Sequence, residues 1–105
     1  MASVRLPERA EAFKEDGNVH FKAGEFSKAF ISYTAAISEA PTSAVLYSNR
    51  SATAAKMGKY SQAVSDAKKS VELDPKWHKA HGRLATAHEL NNEGSYAVGH
   101  DILIF

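Results

Sequence analysis

Apolar residues recur along the chain at spacings of three and four, the spacing that places side chains on one face of an α-helix. The first such run predicts a helix, A1, over about residues 7–22, and the second predicts a helix, B1, whose apolar stripe runs from Phe26 to Ala40. Gly24 separates the two runs and can adopt the left-handed conformation that ends many helices. Pro41 prevents B1 from continuing, because a proline disfavours the helical conformation in the residue before it.

The same order of signals then repeats. Thr42 or Ser43 can cap a third helix, A2, which Gly58 ends. A fourth helix, B2, carries apolar residues from Tyr60 to Val71. Two helix–turn–helix units are therefore predicted in succession.

A third unit departs from this order. Asp74 and Pro75 suit the N-cap and first turn of a helix A3 that runs to about Leu90. The next glycine–x–aromatic turn, Gly94–Tyr96, comes 36 rather than 34 residues after the previous one, so two residues are inserted before it. A short helix B3 would follow the turn, which makes six helices, the last of them short.

A period of 34 residues relates the units. Gly17, Ser51 and Ala85 are small residues 34 positions apart, each placed where a neighbouring helix can approach closely. Self-similarity at this period, with a small mid-helix residue and a closing proline, predicts an all-α helix-turn-helix solenoid and resembles a tetratricopeptide repeat (TPR) array. We expect one domain over residues 1–105 with two and a half to three repeats. Their approximate spans are 10–43, 44–77 and an incomplete 78–105.

Composition narrows the class of partner. The 105 residues are 44% hydrophobic and carry a net charge of +1, with 13 Lys+Arg against 12 Asp+Glu, so no global charge attracts nucleic acid or a membrane. The absence of cysteine fits a reducing compartment. The chain shows no secretion signal and no apolar run long enough to cross a bilayer, so we expect it in the cytoplasm.

Five polar residues of the A helices are candidates for binding. They are three cations and two amides with no acidic residue among them: Lys14, Asn18, Asn49, Lys79 and Arg83. Within A1 and A3 the members are four residues apart and share a helix face, and in a solenoid the A helices line one concave groove. Such a donor set favours carboxylates, since each hydrogen bond to a charged group contributes about 1.5–3 kcal/mol.

These residues resemble the two-carboxylate clamp of TPR co-chaperones in type and spacing. The resemblance is carried by three segments, Phe13–Asn18, Tyr47–Ala52 and Trp77–Leu84. It implies an adaptor whose partners are the C-terminal peptides of cytosolic heat-shock chaperones of the Hsp70 and Hsp90 classes, which end in Glu-Glu-Val-Asp. The effector that such an adaptor would serve is left open.

The resemblance also implies a role for each residue. The tail's terminal main-chain carboxylate would be held by Lys14, Asn18 and Asn49. A side-chain carboxylate would be held by Lys79 and Arg83. The preceding tail residues would be contacted by Phe21, Ala52, Ala55 and Lys56.

Other functions receive less support. Cation pairs four residues apart are usually only a solvated helix face, so a TPR scaffold that assembles proteins without the clamp is the alternative function. His81 and His88 lie about 10 Å apart along one helix, too far for one metal ion. Helical-repeat readers of RNA need stacking side chains at equivalent positions, and Phe21 is matched by Ala55. We therefore expect no metal, no cofactor, no catalytic residue, no nucleic acid and no membrane partner.

The last residues add one expectation. Ile102–Phe105 is apolar and no following helix covers it, and exposed apolar patches tend to find partners. We expect self-association through the C-terminal helix or low stability, or else a fragment whose capping helix has been removed.

Overall fold

The computed structural model describes the backbone of residues 6–104 and the side chains of residues 6–92. The described backbone forms five α-helices and no strand: α1 (Glu8–Lys22), α2 (Phe26–Glu39), α3 (Ala44–Lys56), α4 (Tyr60–Leu73) and α5 (His78–Ile104). The all-α prediction is confirmed, whereas the prediction of six helices is wrong. No helix within this part of the chain has both the length and the apolar character needed to cross a membrane.

Two matching glycine turns create the helical hairpins α1–α2 and α3–α4. Gly24 and Gly58 have φ angles of 77° and 76°, in the left-handed region that side chains with a Cβ rarely adopt. After each glycine, the next residue donates its backbone N–H to the carbonyl five positions earlier, at 2.8 and 2.9 Å. This hydrogen bond is typical of a Schellman cap and reverses the chain within three residues. Both turns were predicted correctly.

The link from α2 to α3 ends at Ser43, which caps the N-terminus of α3. The N–H of Ser43 donates to the carbonyl of Ala40 at 3.3 Å, which closes a turn around Pro41. The Ser43 hydroxyl then accepts from the N–H of Leu46 at 3.3 Å. Of the two predicted caps for this helix, Thr42 and Ser43, the structure uses the second.

The predicted start of the fifth helix is wrong by three residues. Asp74 and Pro75 were expected to open it, but α5 begins at His78. The reason is that Pro75 lies in the same kind of turn as Pro41, with the N–H of Trp77 donating to the Asp74 carbonyl at 3.1 Å. Both prolines therefore belong to the link between hairpins.

The predicted turn at Gly94–Tyr96 and the helix B3 are also absent, because α5 continues through these residues to Ile104. The inserted residues explain the difference. At 3.6 residues per turn, two extra residues rotate the exit point by about 200° around the helix, so a chain leaving at Gly94 would not return along α4. The apolar patch Ile102–Phe105 lies outside the described side chains.

Each helix packs against the next along the chain, and α3 also contacts α5. Small residues allow this close packing, and two clusters form the core. The first joins α1, α2 and α3 through Ala10, Ala36, Ile37, Ala40 and Leu46. The second joins α3, α4 and α5 through Ala54, Ala63, Val64, Ala67 and Ala87. The odd-numbered helices are thereby held side by side.

Candidate functional site

The cleft between α1, α3 and α5 contains five of the nine predicted binding residues. It encloses about 400 Å³ and is open to solvent. The predicted residues in its wall are Phe21 of α1, Ala52, Ala55 and Lys56 of α3, and Arg83 of α5. The rest of the wall is made by Ser51, Thr86, Ala87 and Leu90. Of the five predicted clamp residues, Arg83 lines this cleft and Lys14 lines a neighbouring cavity, whereas Asn18, Asn49 and Lys79 line neither.

Lys14 is held by its own helix. Its Nζ atom lies 3.2 Å from an Oε2 of Glu11, one turn earlier on α1, and its side chain is 22% exposed. Lys14 lines a neighbouring cavity of about 590 Å³, formed by the start of α1, the α2–α3 link and the end of α4. A ligand carboxylate would have to share this ammonium group with Glu11 or displace it.

Asn18 and Phe21 continue the same face of α1, four and seven residues after Lys14. Phe21 is half-buried and meets Phe26 edge to face, with ring centroids 5.2 Å apart. This contact fixes the ring at the end of the cleft. Apolar groups of a bound peptide could pack against it.

Asn18 has a fixed partner inside the first hairpin. The hydroxyl of Tyr33 on α2 donates to Oδ1 of Asn18 at 2.6 Å. Burial raises the pKa of the Tyr33 hydroxyl above its ordinary value, and the Glu15 carboxylate raises it further. Because the hydroxyl keeps its proton, it can donate to the Asn18 amide oxygen, which uses one of the two lone pairs of that oxygen.

Asn49 lies half-buried on α3 and shares a helix face with Ala52 and Lys56, three and seven residues later. Its main-chain carbonyl accepts from the hydroxyl of the buried Thr53 at 2.8 Å. The side-chain amide of Asn49 supplies two N–H donors to its surroundings.

The two remaining candidate residues, Lys79 and Arg83, are cations of α5. Lys79 is exposed, and Arg83 is half-buried with its Nε donating to the Ser48 hydroxyl at 3.5 Å. Ser48 itself is fully buried on α3. Among the side chains that the structure describes, no carboxylate lies within 4.0 Å of either cation. Both can therefore bind an anionic ligand without first losing a carboxylate partner within the described residues.

Sequence reasoning missed several residues of this site. Tyr33 was assigned only to the apolar stripe of a helix, and Ser48, Thr86 and Leu90 were assigned no role. Gly17 indicated the close approach of a neighbouring helix, but nothing in the sequence identified Tyr33 as the residue that packs there and reaches Asn18. For Ser48 there was no comparable signal, because its partner Arg83 is 35 residues away.

Chemically, the predicted residues supply charged and neutral N–H donors next to an apolar cleft. Among the described side chains, a carboxylate competes for these donors at Lys14, where Glu11 is one turn away. Such a site suits an extended ligand that carries carboxylates at one end and apolar groups before them.

The chain is similar in sequence to proteins much longer than itself. Over 79 residues it is 48% identical to the Hsp70-Hsp90 organizing protein of Triticum aestivum, a match covering 75% of this chain and 14% of that protein. Over 87 residues it is 42% identical to the mitochondrial import receptor subunit TOM70 of Homo sapiens, covering 78% of this chain and 14% of that protein. The chain therefore spans only a small part of each relative.

A solved structure matches the chain over most of both lengths. This structure is the second TPR of Spaghetti (RPAP3) bound to the HSP90 peptide SRMEEVD, with a TM-score of 0.77 and 31% identity. The match covers 82% of this chain and 80% of that chain. No protein-family model matches the chain. At this identity and coverage, the likeness to the solved domain extends to sequence as well as fold.

Proposed function

The chain belongs to the tetratricopeptide-repeat family, and we propose that it is a co-chaperone-type adaptor module that binds the C-terminal Glu-Glu-Val-Asp tail of Hsp70 and Hsp90 chaperones. The proposal concerns binding and assigns no reaction to the chain. Its partner is identified by chemistry, since the site offers donors to carboxylates and an apolar cleft beside them.

One observation carries the proposal. Arg83 of α5 shares a cleft with Phe21 of α1 and with three predicted residues of α3, and no described carboxylate neutralises it. An unpaired, half-buried guanidinium in an open cleft favours an anionic ligand. The solved domain that resembles this chain holds an acidic Hsp90 peptide, which supports the same class of ligand.

We propose these roles for the individual residues. The terminal main-chain carboxylate is bound by Lys14, Asn18 and Asn49. A side-chain carboxylate is bound by Lys79 and Arg83. The preceding residues of the tail pack against Phe21, Ala52, Ala55 and Lys56.

Calorimetric titration with a Glu-Glu-Val-Asp peptide tests the proposal. The tail is disordered when free and must be immobilised, so we expect micromolar affinity, which corresponds to about 8 kcal/mol. Arg83→Ala should weaken binding about tenfold to over a hundredfold, because each hydrogen bond to a charged group contributes about 1.5–3 kcal/mol. Arg9→Ala is the matched control, since Arg9 is 75% exposed and lies at the start of α1. An Arg83→Ala variant within twofold of the unaltered protein would reject this role for Arg83.

The free carboxylate is tested by a peptide whose C-terminus is amidated. Amidation keeps every side chain but removes one anion, so the donors around it lose a charged acceptor. We expect a loss of about 2–4 kcal/mol, or roughly 30-fold to nearly 1000-fold in affinity. Equal binding of both peptides would contradict a clamp that reads a chain end.

A scaffold without the clamp is the second candidate. It is favoured by the Glu11–Lys14 ion pair, which already occupies one of the proposed carboxylate donors. A scaffold would be indifferent to the free tail peptide, so the same titration separates the two functions.

We also propose that the chain works in the cytoplasm. The absence of cysteine suits a reducing compartment. One relative is a mitochondrial import receptor subunit, so the alternative place is the mitochondrial surface. Cell fractionation of the tagged chain distinguishes the two, and recovery with mitochondrial membranes would overturn the proposal.

A further inference from the structure

We propose that Tyr33 is a positioning residue for tail binding, because its hydroxyl holds Oδ1 of the Asn18 amide and so leaves the Nδ2 donors available to the ligand. The inference rests on the proposed function and adds to it a residue on α2, a helix that supplies none of the proposed contacts. Tyr33 does not touch the tail in this proposal. It acts through Asn18.

The approach of Tyr33 to α1 depends on a glycine. A Cβ atom at Gly17 would lie 2.5 Å from Cε1, 2.7 Å from Cδ1 and 2.9 Å from Cζ of the Tyr33 ring. Carbon atoms do not approach so closely without a shift, so only glycine admits the ring at this position. The ring therefore packs closely against α1 at Gly17, and its hydroxyl reaches the residue that follows Gly17.

The hydrogen bond has a definite direction. Tyr33 is 3% exposed, and both burial and Glu15 raise the pKa of its hydroxyl, so the hydroxyl is protonated at neutral pH. Its oxygen lies 2.6 Å from Oδ1 of Asn18, to which it donates. A turned amide would instead place an N–H group against the hydroxyl and leave the hydroxyl proton without this acceptor. The bond therefore selects one of the two amide orientations.

The selected orientation matters for a carboxylate ligand. With Oδ1 turned towards Tyr33, the Nδ2 group of Asn18 and its two N–H donors are turned away from the hydroxyl. The opposite orientation would present an oxygen lone pair to the ligand's carboxylate, which is repulsive. By fixing the Asn18 amide in this orientation, Tyr33 favours a ligand that accepts hydrogen bonds, such as a carboxylate, over a ligand that donates them.

The second hairpin offers a natural contrast. The positions 34 residues after Gly17, Asn18 and Tyr33 are Ser51, Ala52 and Ala67, which have neither the amide nor the phenol. The bond between Tyr33 and Asn18 is therefore a feature of the first unit and is not required by the repeat fold. This supports a role in binding.

The test combines two variants and two peptides. Tyr33→Phe removes the hydroxyl and keeps the ring against Gly17, so the hairpin should stay folded. We expect it to weaken binding of the free-acid peptide about three- to tenfold, and the amidated peptide less, so that the ratio between them falls. In an Asn18→Ala background the same change should alter affinity less than twofold, because the residue it acts through is gone. Tyr60→Phe, which removes a hydroxyl from α4, is the control.

A second measurement does not need the peptide. NMR relaxation of the Asn18 side-chain amide in the unliganded protein should show higher mobility in Tyr33→Phe than in the unaltered protein or in Tyr60→Phe. If the unaltered protein binds neither peptide, the proposed function fails, while the NMR result still decides whether Tyr33 holds Asn18. Unchanged amide mobility, or an undiminished acid-to-amide ratio in Tyr33→Phe, would overturn the positioning role.

Discussion

The two complete hairpins share a backbone plan and use it differently. Both turn on a left-handed glycine, and both place a small residue, Gly17 or Ser51, where the helices approach. In α1–α2 the space beside Gly17 is filled by the Tyr33 ring, whose hydroxyl donates to the side chain of Asn18. In α3–α4 the Ser51 hydroxyl donates to the Ala63 carbonyl at 2.7 Å and remains inside the hairpin. The repeat thus determines where the helices meet, but it does not determine which side-chain interactions form at the contact.

The second hairpin contains the polar link that holds neighbouring units together. Arg50 of α3 donates to both carboxylate oxygens of Asp66 on α4, at 2.9 and 2.7 Å, and the two side chains are 16% and 3% exposed. Arg50 also donates to Thr34 of α2 at 3.2 Å and lies over the rings of Phe30 and Tyr47. Three successive helices meet at this guanidinium. The first hairpin shapes the groove, and the second stabilises the stack.

The largest expected effect comes from breaking this link. Asp66→Ala leaves the Arg50 guanidinium largely buried without its carboxylate, and removal of one partner from a buried ion pair costs about 3–5 kcal/mol. Since a small domain is stable by only about 5–15 kcal/mol, thermal or urea unfolding should show a severe loss of stability.

The control is Glu72→Ala on the same helix. Glu72 pairs with Lys69 at 3.8 Å, and both side chains are exposed, so we expect a change of less than about 1 kcal/mol. If Asp66→Ala were as mild as Glu72→Ala, the second hairpin would not hold the stack through this pair.

Sequence reasoning succeeded where one residue determines the local backbone. Gly24, Gly58 and Ser43 were predicted to act as caps and do so, because left-handed φ angles and side-chain caps depend on few neighbours. It failed at Pro75, because a proline can lie either in the first turn of a helix or in the turn before it. The residues around Pro75 decide between these two roles. It failed again at Gly94, since a shift of two residues changes the direction in which a hairpin would close.

The candidate site was predictable to a similar extent. The helical period alone places Lys14, Asn18 and Phe21 on one face of α1. The pairing of Tyr33 with Asn18 and that of Arg50 with Asp66 depend on which residues face each other across hairpins. Such pairings require the fold, so no local pattern could show them.

The next prediction compares Gly17 with Ser51, the small residues at which the helices of each hairpin approach. Gly17→Ala should force the Tyr33 ring to move, and overpacking of this kind costs about 1–3 kcal/mol, partly offset by the better helix propensity of alanine, about 0.5–1 kcal/mol. Ser51→Ala should cost about 0.5–1.5 kcal/mol through one lost hydrogen bond. Urea unfolding measures both. Gly17→Ala should also weaken binding of the tail peptide, because it displaces the ring that holds Asn18, and undiminished affinity would contradict the division of roles.

A third prediction concerns what the hairpins share. Gly24→Ala and Gly58→Ala place a Cβ in a left-handed backbone, which costs about 1–2 kcal/mol, and neither Cβ would meet another atom within 4 Å. The two losses should therefore be equal within error in urea unfolding. Asparagine tolerates this conformation better, so Gly24→Asn and Gly58→Asn should lose less. Unequal losses would mean that the turns differ in more than their side chains.

The smallest expected effect is a difference between the two glycine turns in how their stability depends on pH. In the first turn, Nδ1 of His20 lies 2.9 Å from a carboxylate oxygen of Glu25, and this hydrogen bond, followed by the charge of Lys28, holds the pKa of Glu25 below its ordinary value. Because the folded-state pKa is the lower one, the pair stabilises the fold above the ordinary pKa of Glu25, and this stability is lost as pH falls through the folded value. The equivalent residues of the second turn are Ala54 and Lys59, which cannot form such a pair. Glu25→Gln should therefore reduce the fall in melting temperature between about pH 6 and about pH 3. Glu89→Gln, an exposed change on α5, is the control, and an unchanged fall in Glu25→Gln would show that the first turn owes nothing to this carboxylate.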